Sequence, residues 1–239
     1  MHKVFISPSD QRRNTYASGN TNEAEVCGRI GAACRAALER CGFAVELVQY
    51  EPMSSKCAKS DAFGAELHLP IHTNAFNGKT SGTRIMCHAL SGEGYKAAKA
   101  IFDVLAPLTP GTSENITARP ELYEIKNASA PTAYVEVDFH DVPEVAAWLT
   151  ANTETIGETI AKGVCNYFGE AYVESTAPQP ASDGHYHTFE ELPDWAKPTI
   201  RELMDVDALR GREGDLDLSD DLLRSLVVNK RYTDFLLDQ

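Results

Sequence analysis

Three side chains in this sequence stand where an α/β chain assembles its chemistry. Glu23 opens a helical stretch after a polar loop. His72 closes the strand Leu67-His68-Leu69-Pro70-Ile71-His72. Glu136 lies near the end of Tyr134-Val135-Glu136-Val137, with Asp138-Phe139-His140 following. Ligand sites of open α/β sheets form at the carboxyl ends of strands. Glu and His side chains from separate loops, with one coordination position left to water, are what a catalytic zinc ion requires. A further carboxylate beside them can take a proton from that water and pass it to a leaving amine. Each residue also has a plainer reading. A carboxylate at a helix start complements the helix dipole, and a histidine at a strand end often serves structure alone. Glu136 is the hardest to explain that way, because a buried ionised carboxylate is costly unless paired or metal-bound.

The elements that must position these residues follow from periodicity and turn chemistry. Lys3-Val4-Phe5-Ile6 reads as a first strand, stopped by Ser7-Pro8, and the polar stretch 9–22 as a loop. Cys27, Ile30, Cys34, Ala37, Leu38 and Cys41 recur at helical spacing, giving a helix over 23–41 with Gly42 as its stop. A strand over 43–49, a short helix over 55–63, and a strand over 66–72 follow. Next come a Gly/Asn/Ser/Thr loop over 73–82, a strand over 83–88 and a helix over 92–108. Strands are expected at 122–125 and 133–137, then a long helix over 143–168. This alternation predicts an α/β domain: a mainly parallel twisted sheet flanked by helices. The expected domain spans 1–173. A Pro/Ser/Ala-rich linker covers 174–184, and 185–239 shows no strand pattern and reads as a small all-α module. Its helices are expected from Pro193-Asp194-Trp195-Ala196 to about Asp205, and from Ser219-Asp220-Asp221-Leu222 onward.

Charge narrows the partners. The 239 residues carry 35 acidic and 22 basic side chains, a net −13. Phosphate contacts need Lys and Arg, so nucleic acid is an unsuitable partner, as is an anionic membrane surface. No run of about 20 apolar residues is present, so no membrane insertion is expected. The start Met-His-Lys-Val-Phe-Ile-Ser-Pro reads as a strand and lacks the pattern of a signal peptide, so an extracellular target implies export by lysis, a non-classical route or a missing signal. The six cysteines include no Cys-x-x-Cys pair, and Cys27, Cys34 and Cys41 repeat along one helix face, which predicts reduced core packing. Oligomeric state is not legible.

At its chemical residues the chain resembles the zinc-dependent N-acetylmuramoyl-L-alanine amidases of the type-3 family. The stretch ending Leu69-Pro70-Ile71-His72-Thr73-Asn74-Ala75 is similar to the family's strand ending Ser-Ile-His-Ala-Asn-Ala, whose His binds zinc. Tyr134-Val135-Glu136-Val137-Asp138-Phe139 is similar to its Val-Glu-x-Gly-Phe segment, whose Glu is the catalytic acid/base. Glu23 stands where the family's zinc-binding Glu opens the same helix. The resemblance covers about residues 3–170. It implies Zn2+ as cofactor, held by Glu23 and His72, with Glu136 as the catalytic residue. The substrate it implies is peptidoglycan or a muropeptide, cut between N-acetylmuramic acid and L-alanine in the cell wall. One departure is plain. The family's first ligand is a His in an Asp-Pro-Gly-His turn, and here the turn reads Ser7-Pro8-Ser9-Asp10-Gln11, with Asp10 in register with that His and Gln11 beside it. The third ligand is therefore expected to be Asp10, with Gln11 or, from the loop after Glu136, His140 as the alternatives. Two other readings stay open: a weakly active relative that binds peptidoglycan fragments with a degraded metal site, and a zinc peptidase acting on other peptides.

The remaining candidates carry plainer expectations. His68 lies roughly 13 Å along the strand from His72, so the two cannot share an ion. Arg119 suits either a surface ion pair or a substrate carboxylate. His185 and His187 are expected in solvent. In the tail Tyr186, Phe189 and Trp195 suit either sugar stacking or, as expected for so small a module, core packing.

Overall fold

The computed structural model describes residues 1–175, 184–193, 195–211 and 215–237. The chain forms two compact units, Met1–Glu174 and Ser175–Gln239. Of the expected linker at 174–184, the stretch 176–183 lies outside the described residues.

In the first unit the chain runs β1 (Lys3–Pro8), α1 (Glu23–Arg40), β2 (Ala44–Leu47), α2 (Met53–Phe63), β3 (Leu67–Asn74) and β4 (Arg84–Cys87). It continues through α3 (Gly92–Leu105), β5 (Asn115–Ala118), α4 (Tyr123–Asn127), β6 (Tyr134–Phe139), α5 (Pro143–Ala151) and α6 (Thr153–Phe168). The six strands form one sheet in the order β2-β1-β3-β6-β4-β5. The pairs β1–β2, β1–β3, β3–β6 and β4–β5 are parallel, and β4 runs antiparallel to β6. The mainly parallel α/β sheet expected from the sequence is thus present. The reversal of β4 has a consequence for the site: its first residue, Arg84, lies at the same end of the sheet as the last residues of β3 and β6.

Strand alternation sorts the two faces. Val4, Ile6, Leu67, Leu69, Ile71, Val135 and Val137 point into the main core, which α1, α3 and α6 complete through Ile30, Leu38, Ile101, Leu105, Ile156 and Ile160. Ser7, His68, His72, Tyr134 and Glu136 therefore point to the opposite face. The helices over the core approach closely. A Cβ on Gly157 of α6 would lie 2.6 Å from the Ile30 carbonyl oxygen of α1.

Two elements differ from expectation. The strand expected at 122–125 is helix α4, and the edge strand is instead Asn115-Ile116-Thr117-Ala118, in register with β4. Leu122-Tyr123-Glu124-Ile125 is too short for periodicity to tell helix from strand. The long helix expected over 143–168 is two helices broken at Asn152. Both the backbone N–H and the side-chain amide of Asn152 donate to the Trp148 carbonyl, ending α5, and its own carbonyl accepts from Ile156 to begin α6.

The second unit contains β7 (His185–Tyr186), α7 (Lys197–Asp205), β8 (Leu218–Ser219) and α8 (Asp220–Leu237). Besides the expected helices there is a two-residue antiparallel ribbon, β7 with β8, that sequence periodicity did not reveal. Tyr186, Leu192, Ala196, Ile200, Leu216, Leu218, Leu223 and Val227 make its core, with Phe189 packed against them. Trp195 stays 39% exposed, beneath the Arg224 guanidinium at 5.3 Å. His187 bonds Asp215 at 2.8 Å, and His185 bonds Asp217.

Candidate active site

The site begins with the start of α1. Asn22 caps the helix by accepting from the Glu25 N–H at 3.1 Å, and the Glu23 N–H is bound by the Asn14 carbonyl at 2.9 Å. These contacts fix Glu23, only 1% exposed, at the positive end of the helix dipole. Gln49 ties this helix start to the turn after β1: its side-chain amide donates to the Ser9 carbonyl at 2.6 Å and to the Ala24 carbonyl at 2.7 Å.

β3 brings His72 to Glu23. The imidazole Nδ1 meets Glu23 Oε1 at 2.9 Å, and the ring stacks on Tyr134 at 4.7 Å. Asn14 donates to Glu23 Oε2 at 2.6 Å and to Gln11 Oε1 at 2.8 Å, joining the loop to the site. Gln11 Nε2 lies 3.5 Å from His72 Nδ1. A nitrogen that donates to the Glu23 carboxylate cannot also accept from an amide, so the 2.9 Å contact is the hydrogen bond and Gln11 flanks it. Glu136 is His72's direct neighbour across the sheet, in register on β6.

The electrostatics follow from this packing. Burial alone would raise the Glu23 carboxyl, but hydrogen bonds from His72, Asn14 and Ser9 and the charge of His72 hold it below its ordinary value. Burial alone would lower His72, but the hydrogen bond to Glu23 and the charges of Glu136 and Glu23 raise it. Burial pushes Glu136 up to about 7, with the charge of Glu23 adding to the rise and His72 opposing it. Its Oε2 is buried with no hydrogen-bond partner. A half-buried carboxyl with an orphaned oxygen, titrating near neutrality, is suited to accepting and returning a proton.

The structure thus gathers Glu23, His72 and Glu136, and adds Gln11, Asn14 and Tyr134. Asp10 is exposed, and among the described residues its carboxylate makes no hydrogen bond or ion pair with this group. Successive side chains of a turn point apart, so the residue beside the register position reaches His72 in its place. His140 is also held elsewhere: Nδ1 bonds Thr73 Oγ1 at 2.9 Å and the ring stacks on Tyr16 at 4.9 Å. His68 pairs with Glu124 at 3.2 Å on the same sheet face, and Arg119 pairs with Glu121. Among the described residues no group of three or more His, Cys, Asp and Glu side chains is arranged around a common ion position. Two conventional zinc donors, Glu23 and His72, are in contact, and the third neighbour is an amide. Tyr134 was not among the sequence candidates, although alternation puts it on the face of Glu136 and could have found it. Asn14, in a polar loop, gave no signal.

A mainly parallel α/β sheet with a His, two Glu and an amide at its carboxyl end defines a hydrolase-like centre. The model of the N-acetylmuramoyl-L-alanine amidase family matches residues 4–166, and this chain belongs to that family. The germination-specific N-acetylmuramoyl-L-alanine amidase of Bacillus subtilis (strain 168) is 31% identical over 109 residues, which are 44% of this chain. The match spans 46% of that relative's length. Among solved structures, the amidase AmiC2 of Nostoc punctiforme superposes with a TM-score of 0.64 at 19% identity, over 71% of this chain and 98% of its own. The catalytic domain of CwlV from Bacillus (Paenibacillus) polymyxa var. colistinus gives 0.64 at 16% identity, over 72% and 100%. These likenesses establish a shared fold.

Proposed function

We propose that this chain hydrolyses the amide between N-acetylmuramic acid and the L-alanine of the peptidoglycan stem, acting on the cell wall outside the cell. The observation that carries the reading is the convergence of Glu23, His72 and Glu136 at the carboxyl end of the sheet, with the Glu23–His72 contact at 2.9 Å. Zinc suits Glu23 and His72 by donor type, and these two would hold it; the Gln11 amide oxygen, which here accepts from Asn14, would have to turn from that bond to replace the family's histidine. When bound, the ion polarises the amide carbonyl and lowers the pKa of its water.

The chain's own residues supply the rest. Asn14 fixes the Glu23 carboxylate, and Tyr134 fixes the plane of the His72 ring. Glu136 takes the proton of the attacking water on Oε2 and returns it to the nitrogen of the departing L-alanine.

The test is incubation of the zinc-loaded protein with muropeptides, free peptides and intact walls, followed by mass analysis. Release of stem peptides with a free L-alanine amino group is expected, from muramoyl substrates only. Glu136→Gln should keep metal and fold and lose about 10²–10⁴-fold in rate. Activity within threefold of wild type would remove Glu136 from the mechanism. Binding of muropeptides without cleavage would favour the fragment-binding alternative.

A further inference from the structure

The sheet register places a third functional group in line with the site. Glu136 faces His72 on one side and Arg84 on the other, so His72, Glu136 and Arg84 form one row across β3, β6 and β4. Neighbouring strands lie about 4.8 Å apart, so the Arg84 backbone stands roughly 10 Å from that of His72. Beside Arg84 opens a cavity of about 390 Å³ whose walls include Asn74, Phe76, Thr80, Ser113 and Phe139. Asn74, the last residue of β3 and two past His72, is one of its walls.

The guanidinium is held without being neutralised. It lies over the Phe139 ring at 5.5 Å and donates through Nη2 to Ser113 Oγ at 3.1 Å. No acidic residue lines the cavity, and among the described residues Arg84 pairs with no carboxylate. In a chain with 35 acidic against 22 basic residues, an unpaired cation in a cavity is conspicuous. Its setting is also built. Asp138, fully buried, accepts from the N–H groups of Gly82, Phe139 and Gly111, which fixes the entry to β4. Asp141 accepts from the N–H groups of Phe76 and Gly78 at 2.8 Å, which presents the Phe76 ring, 77% exposed, at the rim.

Building on the amidase reading, we infer that this cavity is a stem-peptide subsite in which Arg84 binds a substrate carboxylate. An extended peptide advances about 3.3–3.6 Å per residue. Two extended residues reach about 7 Å from the scissile bond and a hydrogen-bonded contact adds about 3 Å, so a guanidinium at that distance from the His72 row position meets the second residue of the stem. A guanidinium suits a carboxylate there through its paired N–H groups, with Phe139 and Phe76 packing against the peptide's apolar parts.

The experiment compares two muramoyl pentapeptides that differ only in a free or amidated α-carboxylate on the second residue. The wild-type zinc-loaded protein should prefer the acid by about tenfold in kcat/KM, through KM. Arg84→Gln should abolish the preference and Arg84→Glu should reverse it, with thermal melts confirming folded variants. Equal handling of the pair by wild type, or a preference that survives Arg84→Gln, overturns the subsite. The same pair titrated calorimetrically against Glu136→Gln, and against Glu136→Gln combined with Arg84→Gln, reads binding without hydrolysis. An Arg84-dependent preference in a protein that cleaves neither substrate sustains the subsite and sinks the amidase reading. Equal binding in a protein that cleaves both sinks the subsite alone.

Discussion

Gln11 and Asp10 show how much one position in a turn decides. By register Asp10 replaces the family's histidine, yet Gln11 stands 3.5 Å from His72 Nδ1 while Asp10 faces solvent. An amide oxygen is a weaker zinc donor than imidazole, so the proposed centre should hold zinc less tightly than one with a second histidine. Gln11→His should therefore tighten zinc binding, and Asp10→His should leave it unchanged. Competition with a chelator reads both, and tightening by Asp10→His alone would reverse the assignment. The same comparison bears on Asn14, whose amide bridges Gln11 and Glu23 and would lose one of its two partners in Gln11→His.

Among the elements, α6 sets where α1 lies, and α1 sets where Glu23 lies. Gly157 is the point of closest approach. A Cβ there would stand 2.6 Å from both the Ile30 carbonyl oxygen and Ala33 Cβ, and 2.7 Å from the Cys34 nitrogen. Two effects oppose each other in Gly157→Ala. Helix propensity favours alanine by about 0.8–1 kcal/mol, and overpacking against backbone costs about 1–3 kcal/mol. Two of the three contacts are to backbone of a neighbouring helix and the third to a Cβ fixed to it, none of which can swing aside, so overpacking should win. The expected outcome is a melting temperature lower by a few degrees, at about 2–4 °C per kcal/mol for a chain of this size. A higher midpoint would show that α6 shifts freely on α1.

Across the whole molecule, the face opposite the main core is stitched by buried polar groups from four segments. Ser7 donates to Glu124 Oε1 at 2.5 Å, His68 meets the same oxygen at 3.2 Å, and Lys56 donates to the Pro8 carbonyl at 3.0 Å. Burial alone would raise the Glu124 carboxyl, but hydrogen bonds from His68 and Ser7 and the charges of His68 and Lys56 hold it below its ordinary 4.5. A carboxyl whose folded value is depressed contributes stability that is present above the unfolded value and lost as pH falls through the folded one. Glu124→Gln should thus destabilise the protein at pH 7, and the gap from wild type should narrow on acidification below about 4.5. Urea melts of both proteins between pH 7 and pH 3 read the gap. A gap that widens toward acid would show that Glu124 does not act as a charged group here.

Local chemistry was legible from the chain because it repeats along the chain. Alternation in Leu67–His72 and Tyr134–Val137 put His72 and Glu136 on strands, the cysteine spacing gave α1, and Gly42 and the polar loop bounded it. The order of these elements was enough for the α/β class and for Glu23, His72 and Glu136 as candidates. The helix at 123–127, the break at Asn152 and the reversed direction of β4 were not legible, since each depends on which distant segment a short stretch pairs with. The same holds for the finer site. That Gln11 reaches His72, that His140 turns to Thr73 and Tyr16, and that Arg84 joins the row of His72 and Glu136 are matters of register between strands and of rotation within a turn. A shift of one residue in either moves a side chain to the opposite face, and only long-range packing fixes that shift.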